Sequence, residues 1–448
     1  MPTITPIHAA PLATAAIQAA IDQCHAQGGG RVVLEGGKTW VCGTLNLRSH
    51  VELHLEAGAV LQGSTNRSDY AERVMGGEYE GGEGGFMIFA QNAENIAITG
   101  LGTIEGQSLA WMNGWRDPEK KYIRDPLAWR PRGIGFIGCR NVRINSLTIR
   151  DMAQWTVHLT LCDDVVIQGI TILNRLDVPN CDGIDPDRCR NVRIMGCHIE
   201  AGDDCIVLKN TKEFIGKGDC SDITVQGCTL VSTSAAMKIG TESQGDFKRI
   251  VMTGCVIRGS HRGICMQLRD HGTIEDVIIS DCVIESRHFN ERWWGNAEPI
   301  YITAIPRRAE TKVGTIRRIR LKNLICRAEN GIIIHGWPGA PIQDLTIDGV
   351  ILELTTLSRW SGGRLDLRPM NGAEHGGQEA AGNPAVLVRH AQNLTIKDVE
   401  VRFADPTKPW WTHALEAADV DGLKVEDFRG QAAKPELAAQ KLERCRLR

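Results

Sequence analysis

Short apolar segments separated by turns recur through the middle of the chain. Each has a polar residue, three mainly apolar residues, a two-residue turn that often contains glycine, and a second apolar run. The segments begin 23, 27, 31, 27 and 27 residues apart, at Asn141, Asp164, Asn191, Asp222, Arg249 and Asp276. One such segment cannot bury its inner face alone, so it stacks on its neighbours as a coil of a solenoid. The pattern therefore predicts an all-β fold, a single-stranded parallel β-helix.

Segments that depart from this repeat mark the ends and the insertions. Residues 10–27 place apolar side chains at helical spacing and end before three glycines, which predicts a short helix that caps the N-terminal end of the solenoid. Residues 286–308 and 358–383 break the spacing, and we interpret them as inserted loops. We expect a short C-terminal helix from about Pro435 to Arg444. Because a solenoid grows by adding coils, we expect a single domain over residues 1–448.

Composition and charge restrict the partners. The formal net charge of −3 gives no electrostatic reason to expect nucleic acid. The 15 cysteines are odd in number and lie mostly in apolar strand positions, so we expect them to be reduced and buried. They include no C-x-x-C pair, and we expect neither a metal nor a cofactor. Nothing in the sequence indicates the oligomeric state.

The start of the chain has no basic leader, and no apolar run is long enough to cross a membrane. We therefore expect a cytoplasmic protein with no membrane contact. A leader removed from the natural protein would instead make it periplasmic or secreted.

Five aspartates lie within 23 residues: Asp182, Asp185, Asp187, Asp203 and Asp204. Asp182 and Asp203 are 21 residues apart, so they occupy nearly the same place on adjacent coils, about 4.8 Å apart. Carboxylates this close cannot all ionise freely, and we expect at least one raised pKa. A protonated carboxyl beside an ionised one is the pair that glycosidic bond hydrolysis uses. Aspartates also cap coil corners through Asx turns, which is the alternative above all for Asp185 and Asp187.

The motifs resemble those of the polygalacturonases, family 28 of the glycoside hydrolases, especially its bacterial branch. The resemblance rests on Asn180-x-Asp182, on Gly202-Asp203-Asp204-Cys205, and on Arg130-Pro131-Arg132 in the middle coils. It implies a right-handed, pectin-lyase-like β-helix that hydrolyses with inversion. Carried over by residue, it makes Asp203 the general acid and Asp182 and Asp204 the residues that activate water. Asn180 would hold the substrate or orient Asp182.

Two motifs of that family are absent. The stretch from Ser232 to Glu242 has no histidine where the family has Gly-His-Gly, and Cys265 and Gln267 stand where the family has an Arg-x-Lys pair that binds the galacturonate carboxylate. A buried carboxylate without a cationic partner is costly, so the usual galacturonate subsite is in question. Lys209, Lys238, Arg262 or Arg269 would have to supply the charge. The remaining predicted substrate-binding residues are Asp185, Glu242, Gln267, Trp293 and Trp294.

These observations lead to one leading function and several alternatives. We expect an inverting glycoside hydrolase that cleaves pectin-related oligosaccharides, acting from the chain end because long loops at residues 65–90, 106–132 and 286–308 would close one end of a groove. Without the Arg-x-Lys pair, a neutral terminal sugar such as rhamnose is the leading substitute for galacturonate. The alternatives are a β-helical carbohydrate-binding protein that has lost catalysis and a polysaccharide lyase that would need Ca²⁺ ligands.

Overall fold

The structure is a computed structural model that describes residues 2–6, 11–74, 83–290, 295–369 and 377–448. These residues form two compact units. Unit 1 consists of Met1–Val207 with Thr211–Cys228, and unit 2 of Leu208–Asn210 with Thr229–Arg448. Each unit, taken by itself, is a stack of right-handed parallel β-coils, so the predicted fold class is confirmed. The single domain over residues 1–448 stays a prediction.

Unit 1 has one α-helix among its described residues, between its first two strands, and otherwise consists mainly of strands. The helix is α1 (Thr14–Ala26), and it packs on the first coils through Ile17, Ala20, Ile21 and Cys24, which are buried. The predicted capping helix is therefore present, although residues 7–10 lie outside the described residues. The strands are β1 (Thr3–Ile4), β2 (Gly30–Leu34), β3 (Thr39–Cys42), β4 (Leu45–Asn46), β5 (Val51–Leu55), β6 (Val60–Gly63), β7 (Glu72–Val74), β8 (Glu83–Gln91), β9 (Glu94–Gly100), β10 (Thr103–Glu105), β11 (Met112–Trp115), β12 (Arg124–Pro126), β13 (Arg132–Ile137), β14 (Arg140–Asn145), β15 (Thr148–Arg150), β16 (Val157–Thr160), β17 (Asp163–Gln168), β18 (Thr171–Leu173), β19 (Ile184–Asp187), β20 (Arg190–Met195), β21 (His198–Ala201), β22 (Ile206–Asn210) and β23 (Cys220–Gln226).

The division between the units falls within β22. Several strands of unit 2 are longer than those of unit 1. Each of these long strands continues around a bend of its coil. Its strands are β24 (Thr229–Ser232), β25 (Ala235–Ser243), β26 (Phe247–Thr253), β27 (Val256–Ser260), β28 (Arg262–Leu268), β29 (Thr273–Ser286), β30 (Ile300–Ala304), β31 (Thr315–Ala328), β32 (Ile332–His335), β33 (Ile342–Leu354), β34 (Arg364–Asp366), β35 (Gln378–Ala380), β36 (Val386–Phe403), β37 (Leu415–Arg429) and β38 (Gln440–Leu447).

The sequence repeat corresponds to the parallel ladders of the coils. In unit 1, Val142 pairs with Val165, Val165 with Val192, and Val192 with Ile223. The residue that begins each predicted segment has a left-handed backbone, with φ between 53° and 59° at Asn141, Asp164, Asn191, Asp222, Arg249 and Asp276. Asn and Asp adopt this conformation more readily than other non-glycine residues, which explains why a polar residue begins most of the repeats.

Most of the cysteines are buried, as the sequence predicts. All 15 are free, and only Cys445 is not fully buried. In unit 1, Cys197 lies beside Cys228, and in unit 2, Cys255 lies beside Cys282. Small apolar side chains at one position of successive coils therefore fill the same layer of the core.

The predicted C-terminal helix is wrong. Residues 440–447 form β38 instead, and this strand pairs in parallel with β37 from Leu415 to Leu423. The apolar spacing around Leu437 and Leu442 suits a helix, but the free edge of the last coil offers a ladder of main-chain hydrogen bonds that overrides local propensity. The inserted loop at 358–383 contains the antiparallel pair β34 and β35, with residues 370–376 outside the described residues.

Candidate active site

Three carboxyl groups converge in unit 1 at the turns that lead into β19 and β22. The carboxylate oxygens of Asp182, Asp203 and Asp204 offer atoms that all lie within 4.8 Å of one another, and the three residues are 1–5% exposed. The two turns stack directly, because the main-chain N–H of Gly183 donates to Asp204 O at 2.9 Å and that of Ile184 to Cys205 O at 2.9 Å. The structure therefore brings together the three predicted catalytic residues, and their roles stay predictions.

Two glycines allow the turns to approach so closely. A Cβ atom at Gly202 would lie 2.2 Å from Val178 O and 2.5 Å from Arg175 O, and a Cβ atom at Gly183 would lie 2.4 Å from Cys205 O. Contacts this short with main-chain oxygen are not tolerated, so any larger residue would push the turns apart. The glycines of the Asp-Gly and Gly-Asp-Asp motifs thus set the spacing of the carboxyl groups.

Asn180 connects the first turn to Asp203. Its main-chain N–H donates to Asp203 Oδ2 at 3.2 Å, and its backbone is left-handed, with φ of 58°. The side-chain Oδ1 of Asn180 accepts a hydrogen bond of 3.0 Å from Arg130 Nη2. The prediction that Asn180 belongs to the site agrees with this placement. Sequence reasoning did not assign a site role to Arg130, although its Arg-Pro-Arg motif was one of the signals of resemblance.

The acidic residues of this cluster affect the pKa of a neighbouring thiol, that of Cys181. Burial raises the pKa of the Cys181 thiol, the main-chain N–H of Gly202 lowers it, and the negative charges of Asp182 and Asp203 raise it again, with a net rise. Cys181 therefore stays a neutral thiol at neutral pH. The predicted raised pKa of one carboxyl in the cluster stays a prediction.

The same oxygen spacing also suits a cation. Within the part of the chain that the structure describes, these three aspartates are the one group of His, Cys, Asp and Glu side chains placed closely enough to hold a metal ion. The expectation of a metal-free site is therefore one to test with a chelator.

Two further aspartates lie on β19. Asp187 accepts hydrogen bonds from Thr211 N at 3.0 Å and Thr211 Oγ1 at 2.6 Å. These bonds join two successive coils and are not the local Asx turn of the alternative interpretation, although they give Asp187 a structural role. Asp185 is buried and pairs through its Cα position with His158 of β16. Its proposed contact with substrate stays a prediction.

In unit 2, Lys209 and Glu242 form an ion pair. Lys209 Nζ lies 3.6 Å from Glu242 Oε2, and their side chains are 1% and 12% exposed. Burial raises the pKa of Glu242, but the positive charges of Lys209, Arg307 and Lys238 outweigh it and lower the pKa to about 2. Glu242 is therefore ionised at neutral pH, and it balances the charge that Lys209 would otherwise offer to a substrate.

Arg262 holds an inserted loop in place. Its guanidinium is 2% exposed, lies 3.1 Å from both Glu298 Oε2 and Asp366 Oδ2, and covers the ring of Tyr301 with 3.8 Å to the centroid. Burial raises the pKa of Asp366, but a hydrogen bond from Arg368 and the charges of Arg262 and Arg368 lower it to about 2. This arrangement fastens β34 to the coil strands. A substrate contact of Arg262 stays a prediction.

The two positions of the absent Arg-x-Lys pair lie on β28. Cys265 is 1% exposed and belongs to an apolar cluster with Tyr301, Ile333, Leu365, Leu367 and Leu387. Gln267 is 4% exposed. Leu365 of β34 and Leu367 just after that strand thus pack at the place where the family has its arginine. Trp293 and Trp294 lie outside the described residues.

Comparisons with known proteins point to one family. The family described as Glycosyl hydrolases family 28 matches residues 44–286. The chain is 32% identical over 248 residues to a probable polygalacturonase of Vitis vinifera, covering 52% of this chain and 49% of that protein. It is 29% identical over 198 residues to a probable exopolygalacturonase X of Aspergillus fumigatus, covering 43% of each. The chain thus spans about half the length, or less, of these curated relatives.

Solved structures share the fold. An exopolygalacturonase from Thermotoga maritima superposes with a TM-score of 0.70 at 21% identity, covering 90% of this chain and 92% of that one. A family 28 exopolygalacturonase of Yersinia enterocolitica superposes with a TM-score of 0.66 at 18% identity, covering 99% and 77%. No helix of the described residues has the length and hydropathy needed to cross a lipid bilayer.

Proposed function

Because the chain belongs to glycosyl hydrolases family 28, we propose that it hydrolyses O-glycosidic bonds in pectin-related oligosaccharides, with inversion and from the chain end. The observation that carries the proposal is the group of three buried carboxyls with oxygen atoms within 4.8 Å. A protein that only binds sugar has no use for mutually repelling acids, whereas hydrolysis needs one protonated and one ionised carboxyl side by side.

The proposed roles follow from that requirement. Asp203 protonates the leaving oxygen, and Asp182 with Asp204 accepts the proton of the attacking water. Inverting enzymes commonly separate acid and base by roughly 6.5–9.5 Å, and retaining enzymes by roughly 5–5.5 Å. The short oxygen separations here do not by themselves favour inversion, which is proposed from the family resemblance. Proton NMR of the first product formed distinguishes the two outcomes.

Two observations support the proposed action from the chain end: the packing of the long loops of unit 1 and the names of several relatives. The rings of Tyr70, from the loop at residues 65–90, and of Trp111 and Trp129, from the loop at residues 106–132, pack on one another with centroids 5.2–6.1 Å apart. Arg124, from the loop at residues 106–132, forms an ion pair with Asp177, with 2.9 Å between Nε and Oδ2. Since Asp177 lies only a few residues before Asn180, these loops stand beside the acid cluster. Several relatives and solved neighbours are named exopolygalacturonases.

A neutral terminal sugar such as rhamnose is a second candidate substrate. It is favoured by Cys265, which lies in an apolar cluster where the family has an arginine for the substrate carboxylate. Lys209 does not replace that arginine freely, because Glu242 already balances it.

A screen of defined oligosaccharides and aryl glycosides tests both candidates. It should span galacturonides, rhamnosides and neutral galactosides, each with and without a chelator. We expect release of reducing sugar that the chelator does not change. Chelator-sensitive release of an unsaturated product would indicate a lyase, and binding without turnover would indicate a carbohydrate-binding protein. Activity confined to galacturonides would show that Cys265 and Gln267 do not exclude a carboxylate.

A further inference from the structure

The guanidinium of Arg130 is buried beside the acid cluster of unit 1. Arg130 is 5% exposed, and its Nη1 donates to Ala153 O and Pro179 O, both at 2.8 Å. Its Nη2 donates to Asn180 Oδ1 at 3.0 Å. One side chain thus binds Ala153, in the coil before the acid cluster, and two consecutive residues, Pro179 and Asn180, of the turn that carries Asp182.

The peptide group between Pro179 and Asn180 lies between this guanidinium and Asp203. Its carbonyl oxygen accepts from Arg130, and its N–H donates to Asp203 Oδ2 at 3.2 Å. The peptide bond is trans, so its C=O and N–H point in opposite directions. A cationic donor at the carbonyl polarises the peptide and strengthens the hydrogen bond that its N–H makes, as in other chains of hydrogen bonds in a low dielectric.

Arg130 also restrains the left-handed backbone at Asn180. A left-handed conformation is uncommon outside glycine, and asparagine tolerates it better than most residues. Arg130 binds both the carbonyl before Asn180 and the side chain of Asn180 itself, so it opposes rotation of the turn.

We propose that Arg130 is a positioning residue for the general acid. It holds the Pro179–Asn180 peptide so that the N–H of Asn180 donates to Oδ2 of Asp203 and fixes the orientation of that carboxyl group. The inference rests on the proposed glycosidase activity. In that reaction the proton of the Asp203 carboxyl passes to the glycosidic oxygen as its bond to the anomeric carbon breaks. The attacking water forms the new bond to that carbon and gives its proton to the carboxylate of Asp182 or Asp204.

Dependence on the leaving group tests this role. A poor leaving group, such as a sugar hydroxyl, needs the acid, whereas a dinitrophenolate leaves without protonation. For Arg130→Gln we expect kcat on the natural-type oligosaccharide to fall roughly 10- to 100-fold, since a small misplacement of a catalytic group has about this effect. On the dinitrophenyl glycoside of the same sugar we expect a loss below about 3-fold, because the acid is not required there. KM should change little for both substrates.

Arg130→Lys provides a second variant in case the glutamine variant does not fold. It keeps the charge but cannot bind the carbonyl and the amide together in one planar group, so the same selective loss is expected at smaller size. In an Asp203→Asn background, Arg130→Lys should cause no further loss, because residues that act through one group are not additive. A further loss there would overturn the proposal.

Arg188→Gln is the matched control. Arg188 is also buried in unit 1, and it donates to Thr211 O at 3.0 and 2.8 Å and to Gly218 O at 2.6 Å. Its loss should lower the melting temperature without discriminating between leaving groups. Equal losses on both substrates in the Arg130 variants, or full kcat in folded Arg130→Gln, would refute the positioning role while leaving the glycosidase proposal intact. Absence of hydrolysis by the wild-type protein would refute both.

Discussion

The main-chain N–H of Asn180 and the carboxyl oxygen Oδ2 of Asp203 are 3.2 Å apart, although 23 residues separate them in the chain. This contact joins two successive turns of unit 1 at the place where the acidic residues meet. It holds the Asp203 carboxyl against the turn that carries Asp182. The predictions that follow test this site and the ion pairs described in unit 2.

Removing the proton donor should stop hydrolysis without unfolding the protein. For Asp203→Asn we expect kcat on an oligosaccharide to fall roughly 10²- to 10⁴-fold, the usual contribution of a general acid. Asp187→Asn is the control, because Asp187 is buried nearby but bonds to Thr211. It should lose stability and retain most of its turnover when folded. Steady-state kinetics and thermal melts measure both, and near-normal kcat in Asp203→Asn would contradict the assigned role.

The fold and the acid cluster were accessible from the sequence because both depend on local, periodic information. Alternating apolar residues and left-handed Asn or Asp positions recur with each coil. Gly183 and Gly202 stand where two turns approach too closely for any larger side chain. The ion pairs of Arg262 could not be predicted from local sequence patterns. Its partners Glu298 and Asp366 lie 36 and 104 residues away in sequence, so only the folded chain shows that its charge is neutralised inside unit 2.

The absent Arg-x-Lys pair cannot be restored at both positions with equal ease. Cys265→Arg would place a guanidinium among Tyr301, Leu365 and Leu367, and we expect it to destabilise the protein by roughly 1–3 kcal/mol or more, through overpacking. Gln267→Lys replaces a polar side chain and should cost less. Denaturant unfolding of the two variants gives the comparison, and equal stability of both would show that the cluster around Cys265 is open.

Acid should weaken unit 2 through Glu242. The pKa of this carboxyl is about 2 in the folded protein, against an ordinary value of 4.5. A folded pKa below the unfolded one contributes stability that is complete above the unfolded value and lost as pH falls towards the folded value. Between about pH 5 and about pH 2.5, the free energy of unfolding should therefore fall more steeply in the wild type than in Glu242→Gln. Parallel slopes in urea titrations would count against the ion pair with Lys209.

Breaking the ion-pair cluster of Arg262 should be costly. Arg262→Met leaves the buried carboxylate of Glu298 without its cation and leaves Asp366 with Arg368 alone. We expect a loss of roughly 3–5 kcal/mol, as for other buried pairs from which one partner is removed. Arg320→Met is the control, since Arg320 is exposed and donates to the main-chain oxygens of Ile319 and Asp344. A loss of similar size in both variants would mean that the cluster contributes nothing specific.

The buried thiols give the molecule its own set of unfolding reporters. Fourteen cysteines are buried, from Cys24 on α1 to Cys326 in unit 2, and none is tied to another by a disulfide. A thiol reagent can modify each of them only when the structure around it opens. The order in which they are alkylated, followed by peptide mass spectrometry, would therefore map which coils separate first without introducing any label or mutation.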